Sequence, residues 1–138
     1  MAEEKLSMVV FSGTVDKLYP VAIMASGAVA LGQKVEVFLT FWGLMSLRKG
    51  AAEQNQQISK DYEAMGPEMM RIMQEKKVPS WLATLRTAKE IGDVKVYACA
   101  MTMDLFGLTL EDMDPIVDDV AGVAQFLSEA QGGMTLFI

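Results

Sequence analysis

The chain holds one thiol and no imidazole. Cys99 is the single cysteine among 138 residues and histidine is absent, so neither an intrachain disulfide nor the Cys–His pair of a cysteine hydrolase can be built. What remains is attack by a thiolate activated without a side-chain base, and a helix N-terminus does this by stabilising the anion and lowering the cysteine pKa from about 8.5. The setting suits such activation: Cys99 lies at the carboxyl end of the apolar run Val94 to Ala100, just before Met101-Thr102-Met103-Asp104. Two features oppose it. A cysteine between Ala98 and Ala100 is by type a small core hydrophobe. A carboxylate such as Asp104 raises a nearby thiol pKa, unless Arg48 and Lys49 fold over the site and offset the charge. Reactive and structural readings of Cys99 both stand on residue type.

Ser12-Gly13-Thr14 is a hydroxyl and glycine turn ahead of a helical segment, a shape that can hold an anion on backbone amides. It lacks the spaced glycines of a dinucleotide fingerprint and the Gly-Lys-Ser/Thr ending of a P-loop, so a turn with a helix cap is its plainer reading. Phe41, Trp42 and Gly43 close a β-rich run and could wall a pocket or sit in the core. Glu111, Asp112, Asp114, Asp118 and Asp119 lack the spacing of a calcium loop. With no histidine and one cysteine, no transition-metal site is expected, and no cofactor. Met65, Met69, Met70 and Met73 make a stripe at helical spacing, suited to core or subunit packing.

These candidates must be positioned by the elements around them. Leu6 to Phe11 reads as a strand, Ser12-Gly13-Thr14 as its turn, and the segment from Asp16 to Leu31, stopped by Gly32, as a helix. Val35 to Trp42 reads as a second, central strand ending at Gly43. A β-α-β unit of this kind implies parallel strands and an α/β fold. Gly50 to Gln57 reads as an exposed, mobile excursion, Met65 to Lys77 and Trp81 to Ile91 as helices, and Val94 to Ala100 as a third strand. A short helix over Met101 to Phe106, a brief strand over Ile116 to Val120, a helix over Val123 to Ala130 and a strand over Met134 to Ile138 complete the chain. In such sheets ligands collect outside the carboxyl ends of the strands, where the Ser12, Trp42 and Cys99 loops would meet.

Composition bounds the function. The length suits a single domain over 1–138. A net charge of -6, with no basic run interleaved with aromatics, argues against nucleic acid. No stretch is long enough to span a membrane, and Met1-Ala2-Glu3-Glu4-Lys5 lacks a secretory n-region. A cytoplasmic protein is expected, in a reducing compartment where one thiol stays free.

The runs Val9-Val10-Phe11-Ser12-Gly13-Thr14-Val15-Asp16-Lys17, Phe38-Leu39-Thr40-Phe41-Trp42-Gly43-Leu44 with Arg48-Lys49, Ala98-Cys99-Ala100-Met101-Thr102-Met103-Asp104-Leu105 and Gly122-Val123-Ala124-Gln125-Phe126-Leu127 resemble the DsrE/DsrF-like family over nearly the whole chain. The resemblance implies a three-layer α/β/α sandwich on a five-stranded, mainly parallel sheet, assembled into homo- or hetero-oligomers. It also implies sulfur trafficking, with Cys99 carrying sulfane sulfur as a persulfide to or from a small sulfur-carrier protein or a rhodanese-like enzyme. The Ser12-Gly13-Thr14 and Trp42-Gly43 loops and Met101, Thr102 and Met103 would shape its mouth. Some relatives have a second cysteine; this chain has none, so a relay thiol must come from another subunit, a partner or a small thiol. A non-catalytic binding module and a structural subunit of a sulfur-transfer assembly are the alternatives.

Overall fold

The computed structural model describes residues 4–138; of the N-terminal leader reading, Met1, Ala2 and Glu3 lie outside the described residues. Five strands, β1 (Lys5–Val10), β2 (Lys34–Leu39), β3 (Val94–Cys99), β4 (Asp119–Ala121) and β5 (Met134–Phe137), form one sheet in the order β4-β3-β2-β1-β5. Every pairing is parallel. The helices are α1 (Val15–Ala30), α2 (Phe41–Met45), α3 (Ala51–Gln54), α4 (Gly66–Glu75), α5 (Trp81–Ile91), α6 (Ala100–Phe106) and α7 (Val123–Ala130).

Burial explains the layering. The central strands read as near-continuous apolar runs because both faces are covered, and Met8, Val10, Val37, Val96 and Ala98 are buried with Leu18, Val21, Ala22 and Ala25 of α1 and Leu82 and Leu85 of α5. On the opposite face α7 lays Phe126 onto Phe38 of β2, ring centroids 4.8 Å apart, its Ala130 buried one turn on. That crossover is long. It leaves edge strand β4 and delivers β5 to the far edge, beside β1.

The helix ends follow local chemistry. Ser80 caps α5 by accepting from the Ala83 amide, and Gly32, at φ +77°, turns the chain after α1. Four expectations are corrected. The second strand stops at Leu39 rather than Trp42, because Phe41 turns into the left-handed region at φ +47° and opens α2. The brief fourth strand is displaced to Asp119–Ala121, since Asp114 turns back to accept from the Ile116 amide and buries Ile116 and Val117 ahead of it. Gly50 to Gln57 is no free excursion: it contains α3, and its Asn55 and Gln57 bond to the β1 loop. The methionine helix begins as a 3-10 turn over Lys60–Met65 before α4. Met69 packs against the core while Met65 stays exposed. Among the described residues no helix is long and apolar enough to cross a membrane.

Candidate functional site

Parallel register sets the strand ends side by side. Leu39 pairs with Ala98 and Cys99 with Ala121, which brings Thr40, one residue past β2, to the level of Cys99, where β3 hands over to α6. Cys99 is the N-cap residue of α6, with extended backbone at φ -62° and ψ 119°. Thr102, one turn along α6, is fully buried. Its Oγ1 lies 3.2 Å from Thr40 Oγ1 and accepts from the Phe41 amide, also at 3.2 Å. A non-glycine residue in the left-handed region is strained, and such strain persists only where surrounding contacts enforce it. At Phe41 the bond to Thr102 is one such contact.

Cys99 is 7% exposed. Burial pushes its pKa up, but the Thr102 hydroxyl and amide, the Thr40 hydroxyl and the Met101 amide together favour the anion and bring it net below its ordinary value. No regular cap bond closes on the sulfur, so these donors act as a loose cluster around it. The arrangement suits a nucleophilic thiolate, for which hydroxyl and amide donors replace a base.

Close backbone approach holds the loops together. A Cβ on Gly43 would stand 2.2 Å from the Val10 carbonyl oxygen, and one on Gly13 2.6 Å from that of Trp42. The Gly43 amide donates to Phe11 O at 2.9 Å and the Thr40 amide to Val10 O at 3.0 Å. Gly13 and Gly43 thus serve to pack the β1 and β2 loops. The Ser12-Gly13-Thr14 turn is tied to the segment before α4: the Val15 amide donates to Gln57 O at 2.8 Å, Gly13 O accepts from Asn55 Nδ2 at 2.8 Å, and Thr14 Oγ1 lies 3.3 Å from Ser59 Oγ. A cleft of about 470 Å³ lies beside this turn, walled by Phe11, Trp42, Lys17 and Lys60; Cys99 does not line it.

The remaining candidates separate. Met103 is core, whereas Met101 is 72% exposed beside the site and contributes its amide. Trp42 continues a row of rings in which Phe137, Phe11, Phe41, Trp42 and Phe106 follow one another at centroid spacings of 6.0, 5.9, 6.2 and 6.4 Å. Arg48 and Lys49 do not fold over Asp104. Lys49 bonds through its amide to Asp112 O, and Arg48 bridges to Met113; among the described residues neither forms an ion pair with Asp104. Residue type alone does not single out Thr40 and the Phe41 amide. Their signal was faint, a hydroxyl residue at the end of a strand adjacent to that of the cysteine. No cluster able to hold a metal ion occurs among the described residues.

Comparison with known proteins agrees with this architecture. The chain is 35% identical to the uncharacterized protein YrkE of Bacillus subtilis, covering 98% of this chain and 97% of the relative. It is 28% identical to the sulfur carrier protein DsrE2 of Allochromatium vinosum, over the full length of both. Two solved structures share the fold. One is protein MTH1491 of Methanobacterium thermoautotrophicum, of unknown function, at 13% identity and TM-score 0.60 over 97% of this chain and 98% of that one. The other is the YchN protein of E. coli, at 14% identity and TM-score 0.57 over 99% and 98%. The family described as DsrE/DsrF/DrsH-like matches residues 2–137, and the chain belongs to it.

Proposed function

We propose that the protein is a sulfur carrier that holds sulfane sulfur as a persulfide on Cys99. The observation that carries this reading is the donor cluster of Thr40, Met101 and Thr102 around a lone thiol, which favours the thiolate despite its burial. The name of the Allochromatium relative supports it. In the loading step the Cys99 thiolate attacks the outer sulfur of a donor persulfide. The new S–S bond forms as the old one breaks, and its electron pair leaves with the donor thiolate, so no external oxidant or reductant enters. Unloading is the same exchange with an acceptor thiolate. Because the chain has one cysteine, that acceptor lies outside it, on a second subunit, a small sulfur-carrier protein, a rhodanese-like enzyme or a small thiol. A reducing cytoplasm suits a thiol that must stay free between transfers.

Intact-mass measurement after incubation with thiosulfate or a persulfidated donor tests the reading, with one sulfur, about 32 Da, expected on wild type and none on Cys99→Ser. No addition to wild type, or equal addition to the variant, overturns it. The 7% exposure of Cys99 favours a second reading, a structural cysteine in a non-catalytic subunit. That reading predicts a thiol inert to iodoacetamide in the native state and a Cys99→Ala variant with intact function.

A further inference from the structure

The hydrogen bonds at the end of β2 have a direction. The Phe41 amide is a fixed donor and occupies one lone pair of Thr102 Oγ1. Thr40 and Thr102 then share one proton across their 3.2 Å contact. If Thr40 donates, Thr102 has filled both lone pairs and its own proton must go elsewhere. If Thr102 donates, the Thr40 proton is the one left over. In both arrangements three donors face two hydroxyl oxygens, so one proton remains for a further acceptor. Cys99 supplies it. A thiolate accepts that proton, whereas a thiol brings a proton of its own and competes with it. Burial opposes the anion, and these hydroxyls and the nearby amides outweigh it together, while Asp104 on α6 is exposed.

We propose that Thr40 and Thr102 are positioning residues, a hydroxyl pair ordered by the Phe41 amide so that its last proton is delivered to the Cys99 sulfur. This rests on the sulfur-carrier reading, for which Cys99 must be anionic, and goes beyond it in assigning that state to two side chains, one just past β2 and one on α6. The strained Phe41 backbone has a purpose here: it aims the amide that orders the pair.

Native-state alkylation of Cys99 by iodoacetamide, followed by mass across pH, gives the test. Thr40→Val leaves the Phe41–Thr102 bond in place and removes one link of the chain. Thr102→Val removes the shared oxygen, and Thr102→Ser restores it. Thr40→Val and Thr102→Val are expected to move the inflection upward by about one unit, which is about a tenfold slower reaction below it, while Thr102→Ser stays with wild type. Valine variants that titrate with wild type overturn the proposal, as does a serine variant that shifts as far as the valine one. Should Thr102→Val fail to fold, Thr40→Val decides. A wild-type thiol that is inert, or that titrates at or above the ordinary value, instead removes the sulfur-carrier reading itself.

Discussion

Gly43 separates a structural requirement for close approach from a mere tolerance of glycine. Its missing Cβ would lie 2.2 Å from Val10 O, 2.8 Å from Val10 C and 2.9 Å from Val10 Cγ1, where ordinary contacts fall at 3.4–4 Å. Two of these atoms are backbone, so no side-chain rotation relieves the clash, and Gly43→Ala must part the β1 and β2 loops by about 1 Å or more. That movement strains two bonds at once, Gly43 N–H to Phe11 O and Thr40 N–H to Val10 O. With about 1 kcal/mol for each bond and about 1–3 kcal/mol for overpacking, the expected loss is about 3–5 kcal/mol. Gly27, inside α1 with nothing within 4 Å of its Cβ position, is the control, and Gly27→Ala is expected to gain about 0.5–1 kcal/mol. Urea unfolding of both variants reads the difference. A Gly43→Ala variant within about 1 kcal/mol of wild type, or of the same sign as Gly27→Ala, refutes the reasoning from backbone approach.

Other expectations concern the supports of the sheet. Lys5 is paired with Glu36 at 3.2 Å and also donates to Glu129 O on α7, and both charged residues are largely buried. Lys5→Met, which strands a buried carboxylate, is expected to lose about 3–5 kcal/mol, and Lys5→Met/Glu36→Gln to recover much of it in thermal unfolding. Burial holds the Glu36 carboxyl above its ordinary 4.5 despite Lys5. The folded state therefore binds this proton more tightly than the unfolded chain, and Glu36 contributes stability below about pH 4.5 that is lost as pH rises through the folded value. Glu36→Gln should flatten that part of a stability–pH profile. Removing the Phe126 ring that stacks on Phe38 is expected to cost about 3–5 kcal/mol by chemical denaturation, and Ser80→Ala, which uncaps α5, about 1 kcal/mol.

The readable parts of the fold were those whose signals are local. α5 and α7 are legible at their observed limits, because Ser80 and Gly92 bracket one and Gly122 and the glycines after Ala130 the other. β2 ends before its strand-forming sequence does, for a physical reason. Phe41 and Trp42 are strand-forming types, but the bond from the Phe41 amide to Thr102 and the contact of Gly43 with Val10 bend the chain there, and both partners are remote in sequence. The candidate site divides along the same line. Cys99 was legible from its place at a strand end, while Thr40 becomes its neighbour only through the parallel register of β2 and β3. Nothing local to Ser12, Gly13 and Thr14 reveals that Asn55 and Gln57 bond to the Gly13 carbonyl and the Val15 amide, because those partners lie some forty residues on.

The strand order sets a timetable for synthesis on the ribosome. β1, first in the chain, finds β2 early, but its other neighbour is β5, which arrives only after α7 has crossed the sheet from β4. Until then one flank of β1 presents open amides and carbonyls, the kind of nascent edge that recruits stray strands. The same late arrival governs the loop after β1, since the Phe11 and Ser12 amides both end on Ile138 O. Holdase chaperones, which bind such nascent edges, would therefore meet this protein most often in the interval between β4 and β5, before the loop after β1 is tied down.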